Sequence, residues 1–222
     1  MSDGSVVAAF FDVDRTLLAV NSGELWVRHM WRTGRLPLVE AMRSLKWILQ
    51  YRLGFLDFEA VTARAALDYA GREFAEVAAE VEAWFDAEIA GSLRQAGRER
   101  IEAHRQQGHR VALLTTGTRF VADPVARLLA IDPADVLCTE LEVLAGRLSG
   151  RHLAPACGGP GKVIRALRYA ELHQLDLERS FFYTDSYSDL PMLHRIGHPR
   201  VINPDRRLMR HARKCSWEIN QW

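Results

Sequence analysis

Cysteine is scarce in this chain and poorly placed for structural work. The three residues, Cys138, Cys157 and Cys215, are odd in number and show no CxxC spacing. Neither a disulfide framework nor a zinc site is therefore expected, and a reducing cytoplasm fits. Long apolar runs are missing too. The stretch at 45–53 is broken by Lys46, Gln50 and Arg52, which argues against a membrane span. The run at 6–11 is too short for a secretion signal and leads straight into charge. Charge of one sign is not in excess: 29 Lys and Arg face 28 Asp and Glu, for a net charge of +1. That balance gives no general case for nucleic acid or an anionic membrane as partner. Internal repeats and low-complexity segments are absent. What remains is 222 residues, 48% apolar and 26% charged, the composition of a soluble globular protein with room for a core and a smaller module.

Two textures follow one another along the chain. From about residue 20 to residue 100 the pattern is helical. Asn21 with Glu24 resembles a capping box opening a helix over 25–30. Val39, Met42, Leu45, Ile48 and Leu49 form a second stripe that ends at Gly54. Asp57 is placed to cap a third helix carrying Phe58, Val61, Ala65 and Tyr69. Phe74, Val77, Ala78, Val81, Trp84, Phe85 and Ile89 recur at helical steps as one amphipathic face. Trp26, Trp31, Trp47 and Trp84 all fall in this block, where most are expected to fill a bundle core.

From about Gly97 helices and strands alternate. Helices are predicted over 99–107, 120–129, 162–172, 189–195 and 207–214. Strands are predicted at 110–115, 136–138, 180–184 and 201–202, with a hairpin whose arms, 142–144 and 147–149, flank Ala145-Gly146. Strands spaced by crossover helices indicate an α/β fold with a doubly wound parallel sheet, and the buried run at 6–11 supplies its first strand. The expected organisation is an α/β core over 1–19 and 98–222, with an inserted α-helical cap over 20–97.

Chemistry-bearing residues sit where such a sheet exposes its ligand side, at the carboxyl ends of its strands. Asp12 and Asp14 follow the first strand, and in an extended segment they project to the same side. Burying such charge unpaired is costly, so a metal ion or substrate cleft is expected there. Thr115-Thr116-Gly117-Thr118 supplies hydroxyls and backbone N–H groups suited to an anion. Asp185 and Asp189 end another strand, Asn203-Pro204-Asp205 a further one, and Gly158-Gly159-Pro160-Gly161 delivers Lys162 to a helix start. Several acids around one point need a cation, and oxygen-only donors favour Mg²⁺. A lysine and a hydroxyl-plus-amide nest then complement a phosphoryl group.

In order along the chain, FDVDRTL, LLTTGT, GPGK and YTDSYSDLPML resemble the four motifs of the haloacid dehalogenase-like hydrolase superfamily. The similarity is to its phosphoserine-phosphatase-like branch, with a helical cap inserted after the first motif. TELEVLAGRLSG and VINPD are similar to the hairpin and final strand-loop of that group. The resemblance implies a Mg²⁺-dependent phosphomonoesterase acting on a small phosphate ester. Asp12 would be the nucleophile and Asp14 the acid/base, its main-chain carbonyl also facing the metal. Thr115, Thr116, Gly117 and Lys162 would bind the phosphoryl group, and Asp185 and Asp189 would join Asp12 and Asp14 around Mg²⁺. Arg15 stands where the family often has glycine, and Thr115 where serine is usual. Asn21 occupies the place of a substrate-binding glutamate, with Glu24 nearby, and the Ser-Gly-Gly of phosphoserine phosphatases is missing, which argues against phosphoserine.

Competing readings exist for each feature. The aspartates also suit a turn or helix cap, the threonine run an ordinary connection and Lys162 a solvated helix start, although the helix dipole disfavours a lysine there. Asn21, Glu24, Arg28, Arg64 and Asn203 are candidates for substrate selection, against a default of surface pairing. His194 and His198 are four apart but separated by a helix break, a poor metal pair, and the basic face of 206–214 reads as solvated. A phosphotransferase using the same phospho-aspartate is one alternative. A non-catalytic binder of a phosphorylated ligand or a protein is another.

Overall fold

The computed structural model describes residues 6–36 and 57–222. The predicted stripe at Val39 to Leu49, with Trp47, lies outside them. The described elements are β1 (Ala8–Phe11), α1 (Ser22–Arg32), α2 (Phe58–Leu67), α3 (Phe74–Glu88), α4 (Gln95–Gln106), β2 (Arg110–Thr118), α5 (Arg119–Leu128), β3 (Val136–Leu144) and β4 (Arg147–Leu153). They continue with α6 (Pro160–His173), β5 (Phe181–Thr184), α7 (Leu190–Leu193), β6 (His198–Ile202), α8 (Arg206–Lys214) and β7 (Glu218–Asn220).

One seven-stranded sheet runs in the order β4-β3-β2-β1-β5-β6-β7. All neighbours are parallel except the β3–β4 hairpin. The α/β fold read from the sequence is therefore the fold observed. β1 lies at the centre, with every residue fully buried. Its alternation divides the interior: Ala9 and Phe11 join one apolar cluster, Ala8 and Phe10 the other. Full burial of each phenylalanine is worth about 2–3 kcal/mol, so the central strand is anchored from both faces.

Local signals place the helix starts. The Asn21 side chain accepts from Glu24 N at 2.8 Å, and Asp57 accepts from Ala60 N at 3.0 Å, each opening its helix. The apolar face of α3 buries Val77, Val81, Trp84 and Phe85 in the same cluster as Phe11 and Phe120. Trp26 donates from Nε1 to the Tyr69 hydroxyl at 2.9 Å. Trp31 departs from the expected core role: it is 49% exposed, because it lies on the face of α1 turned away from Trp84.

β2, β3, β4 and β6 run longer than predicted, whereas β1 and β5 are shorter. The segment at 136–138 and the first hairpin arm form one strand, β3, with an irregular register between Leu141 and Val143. The hairpin turns at Ala145 (φ 48) and Gly146 (φ 80), the left-handed pair that a two-residue turn requires. β7 was not predicted. It has three residues and only partial burial, too little for a period-two signal. No helix among the described residues is long and apolar enough to cross a membrane.

His104 on α4 is buried behind the sheet, with Nε2 2.8 Å from the Tyr183 hydroxyl and Nδ1 2.8 Å from His109 Nδ1. Burial, together with the His109 charge, pulls its pKa down to about 4 from 6.5. The unfolded chain therefore binds a proton that the native state refuses between these two values. Stability is expected to be intact above pH 6.5 and to fall by on the order of 2 kcal/mol as pH drops towards 4. Urea titrations across that range check it. The slope should flatten in His104→Gln, which cannot take up the proton.

Candidate active site

β2, β1 and β5 are adjacent, so the polar residues at their carboxyl ends converge. Asp12 continues β1 with an amide that donates to Tyr183 O at 2.9 Å. Asp12 (φ −71, ψ 158) and Asp14 (φ −66, ψ 131) both keep extended backbone, as the sequence spacing requires. Arg15 then turns the chain through the left-handed region at φ 58, and Leu18 N closes the loop onto Val13 O at 2.9 Å. Asp14 is tied to the first turn of α1, where Ser22 N donates to its Oδ1 at 2.9 Å.

Among the buried side chains of the described residues Lys162 is the only cation, and it is 1% exposed. Its Nζ donates to Asp12 Oδ1 and to Asp189 Oδ2, each at 2.7 Å. Asp189 Oδ2 also accepts from Thr184 Oγ1 at 2.6 Å. Lys162 reaches that position because α6 begins in a tight loop. Gly159 has φ 50, and a Cβ on Gly161 would stand 1.9 Å from Ala156 O, so no other residue fits there without moving the backbone.

Negative charge exceeds positive here. Burial pushes Asp12, Asp14 and Asp185 upward. Lys162 opposes this at Asp12, the Ser22 amide opposes it at Asp14, and the charges of Asp12 and Asp189 add to it at Asp185. Burial works against Lys162, but Asp12 and Asp189 more than reverse it, so its ammonium stays charged far above neutrality. Asp189 Oδ1 is buried with no hydrogen-bond partner, and the Asp185 carboxylate accepts none from the described residues. Among those residues, no three or more His, Cys, Asp or Glu are closed into a group that would hold an ion as they stand. The unpaired oxygens nevertheless form a donor set suited to a hard cation.

On the other side of Asp12, Thr115 is 3% exposed at the end of β2 and accepts from Gly117 N at 3.2 Å. Thr139 holds this loop from behind, donating to Thr116 O at 2.9 Å and accepting from Cys157 N at 3.0 Å. The structure thus brings together Asp12, Asp14, Thr115, Thr116, Gly117, Lys162, Asp185 and Asp189.

The residues named for substrate selection are less uniform. Asn21 is committed to capping α1, and Glu24 pairs with Arg15 at 2.9 Å. Arg64 pairs with Asp68 at 3.3 Å on α2, and Arg28 is exposed on α1. Asn203 (φ 42) accepts from Trp222 N at 3.1 Å and belongs to the β6–β7 corner. Four supporting residues escaped the sequence reading. They are Thr139, Thr184, Phe58, whose ring lies against Gly158, and Glu59, whose Oε1 accepts from Ala156 N at 2.7 Å. For Phe58 and Glu59 the one signal was an apolar-periodic helix opened by Asp57; nothing in the sequence aimed them at the glycine loop, and Thr139 and Thr184 carried no signal beyond their place in strands.

The family model described as haloacid dehalogenase-like hydrolase matches residues 9–194. Phosphoserine phosphatase SerB1 of Mycobacterium tuberculosis is 35% identical over 220 residues, covering 97% of this chain and 70% of that protein. Histidinol-phosphatase of Neisseria meningitidis is 27% identical over 217 residues, covering 95% and 96%. A crystal structure of a Bordetella pertussis protein described as of unknown function superposes with a TM-score of 0.85 at 29% identity, over 97% of this chain and 98% of that one. A phosphoserine phosphatase captured as a phospho-aspartyl intermediate analogue shares the fold, with a TM-score of 0.69 at 17% identity over 97% and 92% of the two chains. This chain belongs to the haloacid dehalogenase-like hydrolases. The enzyme class expected from the sequence, a phosphatase, is that of the named relatives.

Removing the ammonium should leave Asp12 and Asp189 buried without a counter-charge. Lys162→Met is expected to lower unfolding stability by about 3–5 kcal/mol in chelator at neutral pH, by urea titration. A loss under 1 kcal/mol would mean the pair is far more solvated than its burial indicates.

Proposed function

We propose that the chain is a Mg²⁺-dependent phosphomonoesterase that hydrolyses a small phosphorylated metabolite through a phospho-aspartate on Asp12. The observation that carries this reading is the clamp of Lys162 between Asp12 and Asp189, at 2.7 Å to each. It favours the ionised form of Asp12 against burial, which pushes its pKa up to about 7, and sets a positive charge where a phosphoryl group would arrive. The Thr115 hydroxyl and the amides of Thr116 and Gly117 complete an anion site across from it.

A carboxylate oxygen of Asp12 attacks phosphorus, and the bond from phosphorus to the ester oxygen breaks. Asp14 gives its proton to the departing alkoxide; its raised pKa, caused by burial, suits the protonated form in this step. Asp14 then takes a proton from water, the water oxygen bonds to phosphorus, and inorganic phosphate leaves Asp12. Asp12, Asp185, Asp189 and the Asp14 main-chain carbonyl are the groups that would hold Mg²⁺. When bound, the ion supplies neutralising charge that lets an anionic nucleophile approach an anionic substrate.

The helical block over 20–97 is read as a cap that selects the ester. The two linkers support this, since they lie side by side: Ala19 N donates to Ser92 O and Arg94 N to Leu17 O, both at 2.8 Å. A reducing compartment such as the cytoplasm suits three free thiols, two of them buried.

Asp12→Asn is expected to abolish turnover of p-nitrophenyl phosphate without loss of fold, because the covalent route is lost. Thr115→Ala should lower kcat/KM by about 100-fold for every ester alike, through weaker transition-state binding. EDTA should silence the wild type and Mg²⁺ restore it. Full activity after exhaustive chelation would overturn the metal assignment, and turnover in pure Asp12→Asn the nucleophile.

A further inference from the structure

Arg15 directly follows the two aspartates at the end of β1 and holds φ at 58, a region that penalises any residue with a Cβ and suits glycine. Elsewhere, Ala130, Gln174 and Ser216 adopt the same conformation to close helices, and Ala145 to turn a hairpin. At Arg15 the backbone needs only a reversal, with N donating to Val20 O at 2.9 Å. Glycine would serve without that penalty, so the turn alone does not account for an arginine here.

The side chain is 36% exposed, and its Nη2 donates to Glu24 Oε1 at 2.9 Å. Glu24 is itself seated by the Asn21 cap, so the brace stands on the first turn of α1, the turn that also ties down Asp14. The guanidinium is consequently fixed next to Asp14, against the same first turn of α1 that holds that carboxylate. Lys162 is enclosed and committed to Asp12 and Asp189. Arg15 is at the rim, where the leaving group of an ester would lie, with four N–H donors beyond the one given to Glu24.

We propose that Arg15 is a specificity-determining residue whose guanidinium, braced by Glu24, selects phosphate monoesters with a carboxylate on the leaving group over those with an ammonium. The inference rests on the phosphomonoesterase reading of the same site. A planar guanidinium pairs with a carboxylate through two parallel hydrogen bonds. An ammonium there meets a cation, and the Glu24 charge that would attract it is already balanced.

The test compares 2-phosphoglycolate with phosphoethanolamine in wild type, Arg15→Gly and Arg15→Lys. Each ester is measured as substrate or, where it is not turned over, as competitor of p-nitrophenyl phosphate. The wild type should favour phosphoglycolate, and Arg15→Gly should reduce that preference about tenfold, mainly through KM or Ki. Arg15→Lys should keep only the part that charge supplies, falling between wild type and Arg15→Gly, because an ammonium cannot make the paired hydrogen bonds. The Tm of Arg15→Gly should be equal or higher, since glycine relieves the left-handed backbone, which a purely structural ion pair would not allow. A preference unchanged within twofold in Arg15→Gly overturns the proposal, as does a wild type that favours phosphoethanolamine. If Arg15→Gly loses both preference and Tm, Arg15→Lys decides, and a preference there no greater than that of Arg15→Gly also overturns it. A wild type inactive on p-nitrophenyl phosphate with Mg²⁺ would instead bring down the phosphatase reading.

Discussion

Lys162 is enclosed in protein, and its two hydrogen bonds hold carboxylates from opposite parts of the chain, Asp12 after β1 and Asp189 before α7. An ammonium in such a place persists only because both partners are charged and close, and they persist for the same reason. This mutual requirement constrains the surroundings. α6 must begin where Nζ can reach both acids, which brings the glycine loop within van der Waals limits of Ala156 and leaves no room for a Cβ at Gly161. It also needs β1 and β5 as neighbours, as the parallel register from Ala9–Phe181 to Phe11–Tyr183 provides. The sheet order and the buried ion pair are thus one constraint seen at two scales.

The helical segment is joined to this centre by a few short contacts. Ser22 N fixes the Asp14 carboxylate, Glu59 holds Ala156 N, and the Phe58 ring covers Gly158. α3 shares its apolar cluster with the sheet through Val77, Val81 and Phe85. Any displacement of this segment would therefore alter Asp14 and the Lys162 loop together. On the phosphomonoesterase reading, substrate entry and the geometry of Asp14 would in that sense be mechanically linked.

Much of this was legible in the chain because each feature has a local cause. The central strand is a continuous apolar run, the Asn21 and Asp57 caps are short-range hydrogen bonds, and Ala145-Gly146 is a two-residue turn. Asp12, Thr115, Lys162 and Asp185 sit at strand and helix ends, where the topology of a parallel sheet alone brings them together. What escaped depends on contacts distant in sequence. Thr139 holds the Thr116 loop across 23 residues and Glu59 reaches Ala156 across 97, and neither has a sequence period. Trp31 was misjudged because an amphipathic helix places some large side chains outside the stripe that packs. β7 is too short to announce itself and is defined by the strand beside it.

The balance of charge accounts for what the site would bind. Asp12, Asp185 and Asp189 face Lys162 within the buried region, with Asp14 half-buried beside them and Arg15 at the rim. Burial resists further negative charge, as the upward displacement of Asp12 and Asp185 shows. A phosphate dianion entering alone would increase the repulsion. A divalent cation alone would relieve the carboxylates but leave the nest at Thr115–Gly117 without an anion. Together the two ligands answer both needs, so on the phosphomonoesterase reading each should raise affinity for the other. This reciprocity follows from linkage between neighbouring sites and requires no conformational change. It also limits Lys162: as a fixed cation of single charge it can orient Asp12, but it cannot replace a divalent ion among three further carboxylates.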